Sequence, residues 1–321
     1  MSEIDVVIPW VDGNDPKHKA KREMCQGGDS SSTLASAVDD IRFVQSNEIY
    51  YCIRSILKFM PWIRNIFLVT DNQQPDFLNE NKDFYKKVKV VDHKEMFAGY
   101  EDFLPTFNSR TIASGFWKIP NISDHFLVLC DDFVFLDYVS KAVFINDHKP
   151  LVFGKYQKNK FYRNFPILRK IISNYRYKRY GIITSDRIDV TQKTAMQLGF
   201  KKRFVFLNHS PMLFSKESFQ TFFSNDDEFK KQIRYRFRSS EQYLPEAINS
   251  HYLLKQSKAI VKSSDEFLYE LYEHHFDNPN FSLDEVFDSG RLFLCAQSIE
   301  TYPQEGQKKL FNRLDKLLGL E

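Results

Sequence analysis

Phe126–Leu136 reads FLVLCDDFVFL, an apolar run interrupted by two adjacent carboxylates. The apolar part is short and has the residue types of a strand in a parallel sheet covered on both faces. Burying an unpaired charge costs several kcal/mol, so two carboxylates at the end of such a strand need a partner. Asp131 and Asp132 either form a divalent-metal site that holds a phosphate, or one caps a turn while the other faces solvent. This stretch alone leaves both readings open.

Three earlier apolar runs have the same form, because each ends in a polar tip. They are Ile4–Val11 before Asp12, Gly13 and Asn14, Asn65–Thr70 before Asp71, and Val88–Val91 before Asp92. Strands separated by helical or loop segments predict βαβ units in a mostly parallel sheet, with the tips along one edge. Ligands bind at that edge in open α/β sheets. We therefore expect a Rossmann-like α/β fold with flanking helices, in a single domain over residues 1–321.

A helix is predicted between the first two runs, where apolar residues share one face: Ile49, Ile53, Ile56, Leu57 and Met60. Ser46 or Asn47 can cap its start, with Glu48 in the first turn, and Pro61 ends it. Arg42, Asn47 and Glu48 are the polar residues around its beginning. Each of them taken alone reads as an ordinary solvated side chain.

Further polar candidates lie later in the chain. Asn108 and Ser109 precede a second helical segment and can cap it. His209 follows the predicted strand Arg203–Leu207, and a histidine at a strand tip is either structural or a general base. Arg238 lies in an arginine-rich stretch whose side chains can bind phosphate through two hydrogen bonds.

Composition limits the partners. The chain has 321 residues and a net charge of +3, which argues against nucleic acid as a partner. Residues 155–180 are the exception, with nine Lys or Arg and no Asp or Glu among seven aromatic residues. Such a patch can bind nucleic acid, anionic lipid or an anionic polymer. We describe residues 146–182 as a basic, aromatic-rich and partly helical insertion.

The rest of the composition predicts a cytoplasmic protein. The four cysteines are far apart and include no CxxC pair, which suits a reducing compartment. No window approaches the roughly 18 apolar residues of a spanning helix. Peripheral contact with the inner face of the cell membrane stays open, since residues 305–321 form an amphipathic helix that either packs on the protein or binds a membrane surface. Leu292–Gln297 is a predicted late strand that could join the sheet.

Taken in order, these segments resemble the Stealth family of hexose-1-phosphoryltransferases. That family includes bacterial capsule-polymer transferases and the catalytic subunit of the animal N-acetylglucosamine-1-phosphotransferase. The residues that carry the resemblance are Ile4–Pro16 for its first region, Arg42–Phe43, Asn47–Ile56, Pro61–Thr70, Leu104–Ser109 and Asp131–Asp132 for its second, Asn208–Pro211 and Arg238–Glu241 for its third, and Phe293–Cys295 for its fourth.

The resemblance implies transfer of a sugar 1-phosphate from a nucleotide-sugar, with a UDP-sugar favoured, to a glycan hydroxyl in capsule or surface polysaccharide synthesis. It places Mg²⁺ or Mn²⁺ on Asp131 and Asp132, the catalytic histidine at His209, and a phosphate-binding arginine at Arg238. The donor would contact Asp12–Asp15. The matching motif residues implied for substrate binding are Asp12, Gly13, Asn14, Arg42, Asn47, Glu48, Asn108, Ser109 and Glu241.

The chain departs from the family pattern at a few positions. Arg110, Ala113 and Trp117 stand where the family carries an acidic residue and histidines, and Cys130 stands where Asn is common. The basic stretch would hold an anionic acceptor through Lys158, Lys160, Arg169 and Lys170.

Two other functions remain open at this point. Strand-tip aspartates and a metal-bound nucleotide-sugar serve an ordinary glycosyltransferase equally well, and that enzyme releases a nucleoside diphosphate instead of a monophosphate. A non-catalytic glycan-binding module is the third reading.

Overall fold

A five-stranded sheet forms the centre of the computed structural model, in the order β3-β2-β1-β4-β9. The structure describes residues 3–26, 46–165 and 186–320, and between 166 and 185 only residues 167, 168, 171, 172, 175 and 179. The strands of this sheet are β1 (Asp5–Pro9), β2 (Ile66–Thr70), β3 (Val88–Asp92), β4 (His125–Val128) and β9 (Met212–Ser215). β1 to β4 are parallel and β9 is antiparallel to β4. The predicted α/β fold with a mostly parallel sheet is confirmed.

Both faces of this sheet are covered, as the continuous apolar runs predict. Val6 and Ile8 of β1 belong to one hydrophobic core and Val7 to another. The same alternation holds in β4, where Leu127 packs into the first core and Phe126 into the second. Successive side chains of a strand point to opposite faces, so a strand buried on both sides must be apolar throughout.

Two smaller sheets flank the main one. In the first, β7 (Lys149–Lys158) pairs with β6 (Ile145–Asn146), β8 (Arg203–Leu207) and β10 (Ile260–Lys262). In the second, β12 (Phe293–Ala296) lies between β11 (Leu268–Leu271) and β5 (Phe133–Phe135).

The late strand therefore does not join the main sheet, and that expectation was wrong. β4 already has β1 on one edge and β9 on the other, so β12 pairs with β5, just beyond the two aspartates. Within the proposed insertion, residues 149–158 form β7, a strand whose first half is mostly buried.

The helices are listed here once: α1 (Pro16–Gln26), α2 (Glu48–Phe59), α3 (Phe77–Glu80), α4 (His93–Met96), α5 (Ser109–Gly115), α6 (Asp186–Gln197), α7 (Lys216–Phe222), α8 (Asp226–Ile233), α9 (Pro245–Lys255), α10 (Leu283–Phe287) and α11 (Gln304–Leu318). Short 3-10 helices span Glu101–Phe103, Phe116–Lys118, Lys141–Val143, Phe161–Asn164, Glu273–Asp277 and Ile299–Thr301.

The start of α2 differs from the prediction. Asn47 precedes the helix in a left-handed conformation, with φ of 68°, and its side chain makes no capping hydrogen bond. The Glu48 carboxylate instead accepts a hydrogen bond of 2.6 Å from the Ser46 backbone N–H. An acidic side chain in the first turn thus satisfies a backbone donor outside the helix.

The C-terminal helix packs on the protein. Leu310, Leu314 and Leu318 of α11 are buried in a core that includes Tyr51 of α2. Among the described residues, no helix combines the length and the apolar composition needed to cross a bilayer.

Candidate active site

Two cavities lie at the carboxyl edge of the main sheet, on either side of the end of β1. Trp10 lines one of about 730 Å³, and the adjacent Pro9 lines another of about 840 Å³. Both cavities lie at the sheet edge where ligands are expected to bind in an open α/β fold. We call them the nucleotide-side cavity and the histidine-side cavity.

The nucleotide-side cavity is shaped by the loops after β1 and β2. Asp12, Asn14 and Asn47 line it, together with Gln73. The Gln73 amide fixes the first loop, because its oxygen accepts from the Asp12 N–H at 2.9 Å and its nitrogen donates to Asp15 Oδ2 at 3.0 Å. Asp12 Oδ1 in turn accepts from the Asn14 N–H at 2.9 Å. Gly13, between these two residues, is buried.

The two aspartates occupy the turn between β4 and β5. β4 pairing continues to the Leu129 N–H, which donates to the Val7 carbonyl at 3.1 Å, and the chain then turns at Asp131 and Asp132. The Ala296 N–H donates to the Asp132 carbonyl at 3.0 Å, which ties the turn to β12. These residues sit at the junction of two sheets.

The Asp132 side chain is a candidate metal ligand, because one of its oxygen atoms is buried with no partner in the described part of the chain and its pKa is raised. Its Oδ1 atom is buried and finds no hydrogen-bond partner among the residues that the structure describes. Burial, and after it the charge of Asp131, raises the pKa of Asp132 to about 8. A carboxylate in this position favours protonation unless a positive charge is brought to it.

Two further carboxylates surround Asp131. Burial raises the pKa of Glu48 to about 7, and the charges of Asp131 and Glu300 add to the shift. The pKa of Glu300 is also raised, by burial first and then by Asp131. Such a group of mutually repelling carboxylates fits a divalent cation held by Asp131 and Asp132, with oxygen ligands of the kind that Mg²⁺ and Mn²⁺ accept.

His209 lies in the loop between β8 and β9 and lines the histidine-side cavity, with a ring nitrogen within 4.8 Å of an Asp132 carboxylate oxygen. Its Nε2 atom is 3.6 Å from Cys130 Sγ, and its Nδ1 atom is 3.5 Å from Cys295 Sγ and 2.5 Å from the amide nitrogen of Gln297. Burial, with a smaller contribution from the charge of Arg187, lowers the pKa of His209 to about 4. The imidazole is therefore neutral near pH 7, the form that can accept a proton.

Arginines also line the histidine-side cavity. The Arg238 guanidinium donates to Ser109 Oγ from Nε at 2.9 Å and from one terminal nitrogen at 2.6 Å. Arg110, which is buried, donates to the Ser239 carbonyl at 3.0 Å and also lines the cavity. Asp132, Ser109, His209 and Arg238 thus meet in one space.

Two of the predicted binding residues, Asn108 and Glu241, do not line either cavity. Asn108 has no exposed surface. Its side-chain oxygen caps α5 and its amide nitrogen donates to Tyr235, Phe237 and Gln242. It therefore holds the Ser109 and Arg238 segments together and cannot touch a ligand. Glu241 lies on the surface, outside the residues that line the two cavities.

The basic candidates are only partly described. Lys158 and Lys160 are exposed, at and just after the end of β7, the strand whose Lys155 and Gln157 line the histidine-side cavity. Arg42, Arg169 and Lys170 lie outside the described residues.

Sequence reasoning missed Arg187, Cys295 and Gln297 as site residues. Gln297 immediately follows β12, so the strand-tip rule that selected Asp131 could have found it. Cys295 has no signal in the sequence, because only the fold brings this buried strand residue next to Asp132. Arg187 is the second residue of α6 and directly follows Asp186, and nothing in its neighbours marks it as a site residue.

Comparison with known proteins matches two conserved regions of one family: Stealth protein CR1, conserved region 1, over residues 2–29, and Stealth protein CR2, conserved region 2, over residues 42–152. The capsular polysaccharide phosphotransferase cps1A of Actinobacillus pleuropneumoniae is 40% identical over 132 residues, which are 41% of this chain and 35% of that protein. The capsular polysaccharide phosphotransferase fcs1 of Haemophilus influenzae is 44% identical over 134 residues, or 40% of this chain and 34% of that protein.

The matched stretch thus spans about a third of the length of these relatives. Among solved structures, the galactosyltransferase LgtC in complex with donor and acceptor sugar analogs aligns with a TM-score of 0.44 and 11% identity, covering 98% of this chain and 95% of that one. A TM-score of 0.44 is too low to assign a fold, so the fold is assigned from the strand order of the main sheet. Residues 2–29 and 42–152 are thus similar, in order, to conserved regions 1 and 2 of the Stealth family.

Proposed function

We propose that this chain transfers a sugar 1-phosphate from a nucleotide-sugar to a glycan hydroxyl and releases a nucleoside monophosphate. The observation that carries the proposal is that Asp132, His209 and Arg238 line one cavity of about 840 Å³. A buried carboxylate, a neutral imidazole and a guanidinium are the groups that phosphoryl transfer to a hydroxyl uses. The relatives named capsular polysaccharide phosphotransferases support a role in capsule or surface polysaccharide synthesis.

The donor would span both cavities. The nucleotide, a uridine nucleotide in the first instance, would lie against Asp12, Asn14 and Asn47, and its diphosphate would cross the end of β1 toward Asp131 and Asp132. Both cavities open at this strand end, so one extended donor can reach them without passing through the sheet.

Asp131 and Asp132 would hold Mg²⁺ or Mn²⁺. When bound, the ion neutralises charge on the diphosphate and on the leaving phosphate oxygen. Burial raises the pKa values of Asp132 and Glu48, and a nearby cation would stabilise their charged forms.

His209 would act as the general base. The acceptor hydroxyl oxygen bonds to the phosphorus that bears the sugar, the bond from that phosphorus to the bridging oxygen breaks, and the hydroxyl proton passes to His209. Base function at Nε2 requires the proton of the neutral ring to be on Nδ1. The Gln297 amide nitrogen lies 2.5 Å from Nδ1, so this tautomer requires the Gln297 side-chain amide to turn its oxygen, the accepting atom, toward Nδ1.

Arg238 would bind the transferred phosphate. Its planar guanidinium can donate two parallel hydrogen bonds to phosphate oxygens, where charge accumulates in the transition state. Ser109 positions it through the two hydrogen bonds already described.

The acceptor would approach along β7. Lys155 lines the cavity, and Lys158 and Lys160 extend the basic surface away from it. Neutralising Lys158, Lys160, Arg169 and Lys170 together should weaken binding of a long anionic acceptor and flatten its salt dependence. Unchanged affinity and salt dependence would remove these residues from the acceptor site.

Product analysis tests the reaction. The chain is incubated with Mg²⁺, an acceptor and a panel of UDP-, GDP- and CDP-sugars, and the released nucleotide is identified. A monophosphate is expected, and a diphosphate would indicate glycosyl transfer. Asp132→Asn should abolish release, whereas Asp83→Asn, a change at an exposed carboxylate, should not. No release with any donor would leave a binding module as the better account.

A further inference from the structure

The residues around Asp132 include ligands that Mg²⁺ does not favour. Cys130 Sγ, His209 and one Asp132 carboxylate oxygen offer three ligand atoms that all lie within 4.8 Å of one another. A thiolate, an imidazole and a carboxylate are the donor types that zinc accepts, and thiolate in particular selects against Mg²⁺.

The distance between Cys130 Sγ and His209 Nε2 fits a tetrahedral zinc site. With Zn–S of about 2.3 Å and Zn–N of about 2.0–2.1 Å, the edge joining sulfur and nitrogen in a tetrahedron is about 3.6 Å. Cys130 Sγ and His209 Nε2 are 3.6 Å apart. This edge is therefore formed before any ion binds.

The other side of the imidazole is also arranged for a ligand role. A metal-binding histidine usually donates its second ring N–H to a neighbouring group, which fixes the ring's orientation. Cys295 Sγ, 3.5 Å from His209 Nδ1, can accept that N–H. The Gln297 amide nitrogen is 2.5 Å from Nδ1, and this side chain can accept only with its oxygen turned toward the ring. Both groups belong to β12 or follow it directly, so the strand that holds the Asp132 turn also orients the ring.

We propose that Cys130, Asp132 and His209 form a binding site for a thiophilic divalent ion such as Zn²⁺, with the fourth position open. The site differs in chemistry from the Asp131–Asp132 magnesium site and shares Asp132 with it. The two ions therefore exclude each other, and Zn²⁺ also occupies the nitrogen that would accept the substrate proton. Zn²⁺ inhibition of Mg²⁺-dependent transfer follows, and this consequence rests on the proposed function.

Co²⁺ is the probe, because its spectrum reports its ligands. Titrating Co²⁺ into the full chain should produce a near-ultraviolet band from charge transfer between thiolate and metal, together with the strong visible bands of a tetrahedral ion. The titration should end at one ion per chain, and Zn²⁺ should abolish both features. Cys130→Ser should remove the charge-transfer band and weaken Zn²⁺ binding by more than the roughly 10- to 100-fold that loss of an outer partner produces.

Matched variants separate the cysteines. Cys25→Ser, in α1, should leave the band unchanged, and Cys295→Ser should retain the band with weaker binding. The site is refuted if Cys130→Ser or Cys130→Ala, shown to be folded by thermal unfolding, keeps the band and the affinity, or if Cys295→Ser alone removes the band. If Zn²⁺ binds as expected but no Mg²⁺-dependent transfer exists to inhibit, the proposed function fails and the site stands.

Discussion

The burial of the Asp132 carboxyl makes the native state less stable as the pH rises above about 4, and Asp132→Asn should relieve this effect. Burial and the neighbouring Asp131 raise the Asp132 pKa from 3.8 to about 8. The native state then keeps a proton that the unfolded state releases, so stability is fully present below about pH 4 and is lost as the pH rises to about 8. Over the roughly three units up to pH 7, at about 1.4 kcal/mol per unit, the loss reaches about 4 kcal/mol.

Asparagine cannot ionise, so the variant should escape this loss. In urea unfolding with a chelator present, the free energy of unfolding of Asp132→Asn minus that of the wild type should increase with pH. The difference should reach about 2–4 kcal/mol in favour of the variant near pH 7. Excess Mg²⁺ should stabilise the wild type alone, because only it retains the ligand and binding stabilises the native state by mass action.

Asp83→Asn is the control, since Asp83 is an exposed carboxylate far from the turn in sequence. Its unfolding free energy should follow that of the wild type at every pH. The difference in unfolding free energy between Asp132→Asn and the wild type could instead stay constant from about pH 5 to about pH 8. Asp132 would then not have the raised pKa on which its role as a metal ligand depends.

Three further outcomes follow from the site and the core. His209→Ala should lower turnover by about 10²- to 10⁴-fold, the usual contribution of a general base, and unchanged turnover in steady-state assays would exclude His209 from that role. Arg238→Lys should lose turnover because a lysine cannot make the paired contact, while Arg203→Lys, at an exposed position, should retain it. Phe135 is fully buried with its ring centroid 5.9 Å from that of Phe293, so Phe135→Ala should lower the unfolding free energy by about 3–5 kcal/mol in urea, and a loss below about 1 kcal/mol would contradict the packing.

The first four strands of the main sheet could be predicted because their signal is local. A strand buried on both faces must be apolar along its whole length, and each run ends in a polar tip. β9 was not predicted, because its four residues directly follow Pro211 and precede a helix, too short a run for a period to show. β7 was not predicted either, because its apolar part, PLVFG, is followed directly by the basic stretch that begins at Lys155.

The candidate site was predictable residue by residue but not as an arrangement. The strand-tip rule selected Asp131, Asp132 and His209, the arginine-rich stretch drew attention to Arg238, and the family resemblance gave His209 and Arg238 their specific roles. The contact between Arg238 and Ser109 joins residues 129 positions apart, which no local pattern encodes. For the same reason Asn108 was predicted to bind substrate. In the folded chain its side-chain amide instead donates hydrogen bonds to the segment from Tyr235 to Gln242.

The fate of one phosphorus atom tests the central claim most directly. A nucleotide-sugar carrying radioactive phosphorus only at the position that bears the sugar is supplied with Mg²⁺ and acceptor, and the products are separated. Transfer of a sugar 1-phosphate predicts that the label appears in the acceptor glycan and that the released nucleoside monophosphate is unlabelled. Label remaining in a released nucleoside diphosphate, with sugar in the acceptor, would contradict the account.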